Sequence, residues 1–233
     1  MTDLKDDIIE NKQVKSKKRV ADHGEVFTNE REVNAMLDLV KQETERIDSR
    51  FLEPACGDGN FLAEILRRKL AVVKANYRKS PADYEKYSVV AVTSIYGVEL
   101  LQDNVEDCRS RLFAIWDKEY SANCKGEAND ECRESVKFIL SRNILCGNAL
   151  SLKKVDSVGI DTEEPIIFSE WSLVTGSMMK RRDYRLDEML DGHTEQTSLF
   201  MTDWEFDEET QAFIPKPIKE FPLTDYRRLA EHE

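Results

Sequence analysis

The segment that most constrains the fold is a strand, a glycine-containing turn and a helix that follow one another directly. It reads RFLEPACGDGNFLAEILRRKLAVV and begins at Arg50. Residues 50 to 53 form a brief apolar run that predicts a strand. The apolar positions after Asn60 recur at helical spacing and predict a helix whose inner face carries Phe61, Leu62, Ile65, Leu66 and Leu70. A strand joined to a helix by so short a turn is a building unit of α/β folds.

The same alternation continues to about residue 150. The run VVAVTSIYGVEL predicts a second strand that ends at Glu99, and residues 101–119 predict a second helix. CRESVKFILSR predicts a further helix and ILCGNAL a third strand, while NEREVNAMLDLVKQETERI upstream predicts a short amphipathic helix. Strands that alternate with helices predict an α/β fold with a mostly parallel sheet, whose ligands bind at the carboxyl ends of the strands.

Beyond Leu150 the pattern changes. PIIFSEWSLV and MMKRRDYRL flank a Thr-Gly-Ser tripeptide and predict a β-hairpin. We therefore divide the chain into a flexible charged arm (1–20), an α/β domain (21–182) that ends in the hairpin, and an acidic C-terminal extension (183–233). The extension is expected to pack onto the domain through Phe200, Trp204, Phe206, Phe213 and Phe221.

Composition excludes several classes of protein. The chain carries 46 acidic and 34 basic residues, a net charge of −12 that opposes nucleic-acid binding. The charge is uneven, because residues 183–233 hold 14 acidic and five basic residues, which leaves −3 for residues 1–182. The five cysteines form no CxxC pair and the three histidines are isolated, so we expect neither disulfides nor a metal site. No apolar run is long enough for a membrane span, and we expect a cytoplasmic protein.

The turn itself favours one kind of ligand. Gly57 and Gly59 let the backbone approach a cofactor, and the following helix points its N–H groups to the same place. A dinucleotide motif is disfavoured, because Leu62 stands where the third glycine belongs and the next strand-end acid, Glu99, lies 42 positions after Gly57 instead of about 20. Carboxylates at Glu53 and Asp58 would repel a pyrophosphate but attract an ammonium and a sulfonium group. These groups describe S-adenosylmethionine.

EPACGDGNFL resembles the cofactor motif of S-adenosylmethionine-dependent DNA methyltransferases of the adenine-N6 class, the modification enzymes of restriction systems. The resemblance implies a class I, Rossmann-like methyltransferase fold. It also implies that the turn contacts the cofactor through Glu53, Ala55, Cys56, Gly57, Asp58 and Gly59. For the Cys56 thiol we expect a small buried group that fills space rather than a nucleophile.

Three further stretches resemble motifs of the same family, in the same order. GEVFTNEREVNAML is similar to the leading motif, which implies that Phe27 and Thr28 surround the methionine end, although Asn29 stands where proline is commoner. YGVEL implies that Glu99 holds the ribose hydroxyls, with Leu100 and Leu101 beside the adenine. ILCGNAL implies that Asn148, where aspartate is usual, accepts from the adenine amine, with Ala149 next to it. Together the motifs span residues 24–150.

The catalytic signature of the family, Asn or Asp followed by Pro-Pro and an aromatic residue, is absent from the chain. In its expected place PIIF is followed by Ser169, Glu170 and Trp171. Glu170 could accept from a target amine and Trp171 could stack on a flipped base, which makes them the catalytic candidates. A hairpin strand that alternates Phe168, Glu170 and Ser172 explains the same letters without chemistry.

Two functions from different classes remain. The first is a DNA adenine-N6 methyltransferase of a restriction–modification system. The second is an inactive S-adenosylmethionine-binding module that needs a partner subunit for catalysis and DNA recognition. Two basic clusters could contact the phosphates of DNA, or they could be ordinary solvated surface. The first consists of Lys15, Lys17, Lys18 and Arg19, and the second of Lys180, Arg181, Arg182 and Arg185.

Overall fold

A computed structural model of the protein describes residues 14–190, 204–207 and 212–232. Its helices are α1 (Lys17–His23), α2 (Glu30–Asp38), α3 (Lys41–Thr44), α4 (Asn60–Tyr77), α5 (Pro81–Thr93), α6 (Gln102–Cys124), α7 (Asp130–Asn143) and α8 (Leu186–Leu190). Its strands are β1 (Phe51–Glu53), β2 (Ile95–Glu99), β3 (Ile144–Cys146), β4 (Lys153–Val155), β5 (Asp161–Pro165), β6 (Ile167–Thr175), β7 (Met178–Arg185), β8 (Trp204–Asp207), β9 (Ala212–Pro215), β10 (Lys219–Glu220) and β11 (Thr224–Asp225). In these ranges no helix is long and apolar enough to cross a membrane.

A parallel sheet with the order β1-β2-β3 lies at the centre of the domain. The register pairs Phe51 with Ile95 and Gly97 with Ile144. β2 is the middle strand, its first four residues are buried, and α4, α5, α6 and α7 all contact it. The mixed α/β architecture with a parallel sheet is therefore confirmed, and the carboxyl ends of β1 and β2 lie side by side.

Within the described part of the chain, β1 is an edge strand. The Phe51 N–H donates to the Ser94 carbonyl at 2.9 Å. Because the backbone N–H and C=O groups of successive residues point to opposite sides of a strand, those of Leu52 point away from β2. The Leu52 side chain is 42% exposed. It lines an apolar groove of about 210 Å³ together with Met36 and Val40 of the α2–α3 region. The sheet thus ends directly beside the glycine-containing turn.

The prediction of a strand over Val89–Val92 is wrong, because these residues form the last part of α5. Ser80 caps that helix, since its Oγ accepts from the Asp83 N–H at 3.4 Å, and Pro81 occupies the first turn. A proline at this position favours a helix start. The apolar run is buried among other helices, and short apolar runs of this kind do not distinguish a buried helix from a buried strand. Only residues 95–99 form the strand.

The N-terminal prediction of a flexible arm is also wrong where the structure describes it. Residues 17–23 form α1, capped at its start by Ser16, whose Oγ accepts from the Arg19 N–H, and at its end by Gly24 with a φ of 66°. Ion pairs fix α1 to α6: Lys15 lies 2.5 Å from Asp107, and Arg19 pairs with Asp103. Sequence periodicity could not reveal this, because the ordering depends on charges about 90 residues away. Residues 1–13 lie outside the described ranges.

At the position of the predicted hairpin β6 and β7 pair antiparallel, with Glu170 opposite Arg182. The predicted boundary at residue 182 is wrong, because β7 continues to Arg185 and the later strands β10 and β11 pair with it. Phe221 is buried, as expected for a tail that packs onto the domain. Phe200 lies outside the described residues, as do the side chains of Trp204, Phe206 and Phe213.

A buried carboxylate fastens the C-terminal segment to the helices. Glu85 of α5 is only 3% exposed. It accepts hydrogen bonds from Tyr120 Oη at 2.5 Å and Tyr226 Oη at 2.8 Å, and from Asn129 Nδ2 and Arg227 Nε at 3.2 and 2.5 Å. A buried charge is tolerated only when its acceptor sites are filled in this way. Tyr226 therefore belongs to the domain core, and Arg227 is attached to it through Glu85.

Lys69 supplies a pH-dependent contribution to stability. Its Nζ is buried and donates to the Ile47 carbonyl at 3.1 Å, to Ser94 Oγ at 2.6 Å and to the Ser49 carbonyl. Burial lowers its pKa from 10.5 to about 7. The folded state thus binds fewer protons than the unfolded state between these values. The free energy of unfolding should therefore be lowest below about pH 7 and rise above it by up to about 1.4 kcal/mol per pH unit.

Urea denaturation from about pH 6 to about pH 9 checks this, with Lys69→Met as the comparison. The wild-type free energy of unfolding should rise with pH relative to that of the variant, which has no amine to titrate. Parallel curves for the two proteins over the whole range would contradict the assignment.

Candidate functional site

The turn between β1 and α4 requires glycine at two positions. Gly57 and Gly59 have φ angles of 53° and 89°, which residues with a Cβ atom rarely adopt. A Cβ atom on Gly57 would lie 2.9 Å from Cε1 of Phe27, and one on Gly59 would lie 2.7 Å from Sγ of Cys108. Both glycines therefore let the turn pass close to neighbouring elements, and any side chain there would displace them.

Glu99 joins the end of β2 to this turn. Its Oε2 accepts from the Gly57 N–H at 2.9 Å, and its Oε1 accepts from the Leu101 N–H at 3.1 Å and from Asn104 Nδ2 at 3.3 Å. The two strand ends that sequence reasoning assigned to one site therefore meet, as parallel neighbours in a sheet require. The carboxylate is held by donors from its own strand end, from α6 and from the turn.

The segment before α2 closes over the same turn. The ring of Phe27 lies against Gly57, and the Thr28 carbonyl accepts from Asn60 Nδ2 at 2.9 Å. Asn29, in the position where the resemblance leads one to expect proline, caps α2, because its Oδ1 accepts from the Glu32 N–H at 3.0 Å. The exchange of proline for asparagine thus preserves a helix start at this point.

Two further carboxyl groups lie on the turn. Burial raises the pKa of Glu53, and a backbone hydrogen bond with Ala55 partly opposes the rise. Burial also raises the pKa of Asp58, against the effect of the Arg111 guanidinium, which is 3.3 Å from Asp58 Oδ1. With Glu99 they concentrate acidic groups around one turn, an arrangement that favours a cationic ligand.

Cys56 is buried beneath the turn. Its N–H donates to the Val98 carbonyl at 3.0 Å, which ties the turn to β2. A hydrogen bond with Cys108 and, after it, burial raise the pKa of the Cys56 thiol well above its usual value. The residue therefore has the features of a space-filling thiol rather than a nucleophile, as the sequence indicated.

The end of β3 also reaches the site. The Gly147 N–H donates to the Glu99 carbonyl at 2.9 Å. The side chain of Asn148 is engaged locally: its Oδ1 accepts from the Leu150 N–H at 3.0 Å, and its Nδ2 donates to Asp161 Oδ1 at 2.9 Å. The amide oxygen retains a second lone pair for another donor. Its predicted contact with an adenine amine stays a prediction.

Leu100 and Ala149 are both partly buried next to these groups. The Leu100 carbonyl accepts from the Cys146 thiol at 3.5 Å, and Ala149 packs against a small apolar cluster that includes Val98 and Ile166. Leu101 precedes α6 and is also partly buried. These residues could form the apolar walls of a site for a planar ring, and their assignment to the adenine stays a prediction.

Trp171 does not have the position that stacking on a base requires. It is 6% exposed, its Nε1 donates to Asn143 Oδ1 at 2.9 Å, and its ring packs edge-on against Phe138. The Arg181 guanidinium lies over the ring, 5.6 Å from its centroid. The prediction that Trp171 stacks on a base is therefore wrong, because the ring is a core residue between α7 and the hairpin.

Glu170 also fits the hairpin interpretation. It lies in the middle of β6, where its Oε1 is 2.6 Å from Arg50 Nη2 and accepts from Ser172 Oγ, while its Oε2 pairs with Arg182 at 3.4 Å. The strand places it on the face opposite Trp171, since successive side chains alternate. The two candidates therefore do not form one catalytic turn.

The two basic clusters are largely paired with acidic side chains. In the first, Lys15 and Arg19 make the ion pairs with α6, while Lys17 and Lys18 are exposed. In the second, every member has a carboxylate partner: Lys180 with Glu220, Arg181 with Asp183, Arg182 with Glu170 and Arg185 with Asp187. The pairing reduces the positive charge available to phosphates, and contact of these clusters with DNA stays a prediction.

Sequence reasoning missed a chain of polar groups behind Glu99. Asn104 Nδ2 also donates to Glu25 Oε1 at 2.7 Å, and Arg19 donates to both oxygens of Glu25 at 2.6 and 2.7 Å. These bonds outweigh the effect of burial and lower the pKa of Glu25. One signal was present: Asn104 stands on the same helical face as the apolar Cys108 and Leu112. A lone polar residue on a buried face indicates a specific partner.

Comparison with known proteins gives two matches. The family model described as MmeI, DNA-methyltransferase domain, matches residues 19–170, which include the whole site. DNA methyltransferase A of Bacillus subtilis (strain 168) is 23% identical over 142 residues, which cover 59% of this chain and 16% of that protein. The chain thus spans only a small part of the length of this relative. No solved structure matches.

Proposed function

Since the chain belongs to the MmeI DNA-methyltransferase domain family, a restriction–modification type of DNA methylase, we propose that it binds S-adenosylmethionine and takes part in DNA methylation. The observation that carries this proposal is the meeting of the Gly57 N–H, the Glu99 carboxylate and the Phe27 ring at the carboxyl ends of β1 and β2. In open α/β sheets, ligands bind at this edge. We assign the fold to the class I, Rossmann-like methyltransferases.

The residues of the turn suit the proposed cofactor. A Cβ atom on Gly57 would collide with the Phe27 ring, so the glycine lets that ring close over the turn. Glu99 would accept from the ribose hydroxyls, and Glu53 and Asp58 would attract the ammonium and sulfonium charges. Phe27 and Thr28 would enclose the methionine end, while Leu100, Asn148 and Ala149 would contact the adenine. When bound, the cofactor supplies an electrophilic methyl group.

We assign the methyl acceptor as the exocyclic amine of adenine in DNA. The support is the similarity of the four motifs to those of adenine-N6 methylases. A direct displacement by that nitrogen needs positioning above all, which a rigid turn between β1 and α4 can provide on the cofactor side. The acceptor side needs hydrogen-bond acceptors for the amine and a stacking surface for the base.

The lack of recognisable residues for binding the methyl acceptor favours a second candidate function. The chain has no Asn/Asp-Pro-Pro-aromatic tetrapeptide, and Glu170 and Trp171 are occupied in the hairpin and the core. A cofactor-binding module that receives its catalytic turn from a partner subunit accounts for both facts. In the described sheet β1 is an edge strand, so its outer backbone groups are without a described strand partner and could pair with a strand that carries this tetrapeptide.

Calorimetric titration with S-adenosylmethionine tests the part common to both candidates. We expect saturable binding with one site per chain and a Kd in the micromolar range, about 8 kcal/mol of binding free energy. Absence of heat at high protein concentration would overturn both candidates. Transfer of a labelled methyl group to unmethylated DNA then separates them, since only an enzyme should act without a co-expressed partner that supplies the tetrapeptide.

A further inference from the structure

Exposed apolar side chains border the outer edge of β1. Met36 and Val40 of the α2–α3 region are 55% and 45% exposed, and Leu52 of β1 itself is 42% exposed. Together with Phe61 and Ile65 of α4 they line the apolar groove beside the strand. Apolar side chains that adjoin one another at an open sheet edge indicate an interaction surface.

The backbone of β1 indicates an extended polypeptide as the occupant. Phe51 uses its N–H on the β2 side, where it donates to the Ser94 carbonyl at 2.9 Å. The N–H and C=O groups of Leu52 point to the outer side, and no described strand pairs with them. A strand added at this edge would bond to both groups, which is the main-chain contact by which proteins take up an extended peptide.

The two faces of this edge specify an apolar strand. Phe51 faces the helices, with its ring centroid 5.2 Å from Lys69 Nζ. Leu52 is in register with Tyr96 and shares its face, which is the face of the hairpin. An added strand would therefore contact the groove on one side and the Leu52 side chain on the other. Strands with apolar contacts on both faces consist of nearly continuous apolar residues.

Charges at the two ends of β1 determine the direction and the flanking residues of this run. At the amino end, the Arg50 side chain is 59% exposed. A guanidinium has five N–H donors, so the bond from Nη2 to Glu170 leaves capacity for a second carboxylate. At the carboxyl end lie the carboxyl groups of Glu53 and Asp58. A parallel segment with an acidic residue before its apolar run and none after it is complementary to both ends.

A second copy of this chain fits the edge less well. Stable complexes bury about 800 Å² per partner. β1 has three residues, which span only about 10 Å. Two such edges that met across a two-fold axis would bury much less than a stable dimer needs. The sequence of β1, Phe-Leu-Glu, also lacks the continuous apolar run that the groove favours.

We propose that the β1 edge and the apolar groove dock a strand of a partner polypeptide, which runs parallel to β1 and reads acidic residue, about four apolar residues and Asn-Pro-Pro-aromatic. The apolar residues contact the groove and Leu52, and the asparagine follows them to the turn between β1 and α4. A carboxamide at this point avoids the repulsion that an aspartate would meet from Glu53 and Asp58. The proposal rests on the proposed function, whose second candidate requires a partner with this tetrapeptide.

Fluorescence anisotropy of the full chain with the dye-labelled peptide DVIVLNPPY tests the proposal. Wild-type protein should bind this peptide with a Kd in the micromolar range, and at least about tenfold more weakly the charge-reversed peptide KVIVLDPPY. Met36→Glu places a charge in the groove and should weaken binding at least about tenfold. Leu52→Pro removes the outward N–H and should do the same. The matched control is Leu39→Glu, since Leu39 is an 86% exposed apolar residue of the same segment that does not line the groove.

The outcomes separate this proposal from the proposed function. Absence of peptide binding, equal binding of the two peptides, or an equal loss with Leu39→Glu and Met36→Glu would overturn the docking site. Sedimentation that shows a dimer disrupted by Met36→Glu would give the groove to a second copy and also overturn it. If Leu52→Pro does not fold by circular dichroism, Met36→Glu decides. Titration with S-adenosylmethionine is independent: binding of the cofactor without the peptide sinks the docking site alone, and binding of the peptide without the cofactor sinks the proposed function alone.

Discussion

Replacement of Glu99 by Gln is expected to weaken the binding of S-adenosylmethionine about a hundredfold or more. The carboxylate accepts from the Gly57 and Leu101 N–H groups and from Asn104 Nδ2. A carboxamide of the same shape would point its own NH₂ group at one set of these donors, so a buried N–H would lose its acceptor. Each such loss costs about 1–3 kcal/mol, and the attraction for a cationic ligand is lost as well.

Calorimetric titration of the variant measures the change in Kd, and Glu106→Gln is the matched control. Glu106 lies on the exposed face of α6, makes one bond to Gln102, and carries the same charge as Glu99. A Kd for Glu99→Gln within about threefold of that for the control would show that the carboxylate does not bind the cofactor. Circular dichroism of both variants confirms that the fold is retained.

Glu85→Gln is expected to lower the free energy of unfolding by about 3 kcal/mol. The buried carboxylate receives four donors, two of them phenols whose hydroxyls point at its oxygens. An amide group can accept at only one of its two ends, so donors at the other end lose their acceptor. Removal of one partner from a buried charged network costs several kcal/mol, and the partial exposure of Arg227 reduces this figure.

Urea denaturation of Glu85→Gln measures this loss of unfolding free energy. The control is Glu131→Gln, because Glu131 is exposed on α7. The control should change the free energy of unfolding by less than about 0.5 kcal/mol. An effect of that size for Glu85→Gln would mean that the C-terminal segment contributes little to the stability of the domain. Hydrogen exchange of the Tyr226 amide should locate the loss, since this amide donates to the Ser177 carbonyl at 2.9 Å.

The parts that could be predicted from the sequence are those in which neighbouring residues carry the information. Gly57 and Gly59 need positive φ angles because of the turn they occupy, and Glu99 meets them because two parallel strands end side by side. The β6–β7 hairpin follows from its own alternation and its Thr-Gly-Ser turn. In each case the motif and the geometry are local, so a one-dimensional pattern contains them.

The parts that could not be predicted depend on contacts between distant segments. The apolar run that begins at Val89 is helical because other helices surround it, and α1 is ordered by acids on α6. Trp171 was a candidate for base stacking because it follows an apolar strand in the sequence. Its hydrogen-bond partner in the core, Asn143, stands 28 residues earlier. Asn104 escaped notice because its two partners come from different parts of the chain. At each of these positions, contacts with distant segments determine the conformation or the role of the residue.

The position of Glu85 also has a consequence for the order in which the chain folds. Its contact with Tyr226 spans 141 residues, so the loop it closes is among the most costly in entropy in the described chain. During synthesis, the segment that matches the family model leaves the ribosome before Tyr226 exists. Until then the carboxylate lacks two of its four donors. The domain can therefore reach its final core only after the acidic region has been made, and contacts of this separation form slowly.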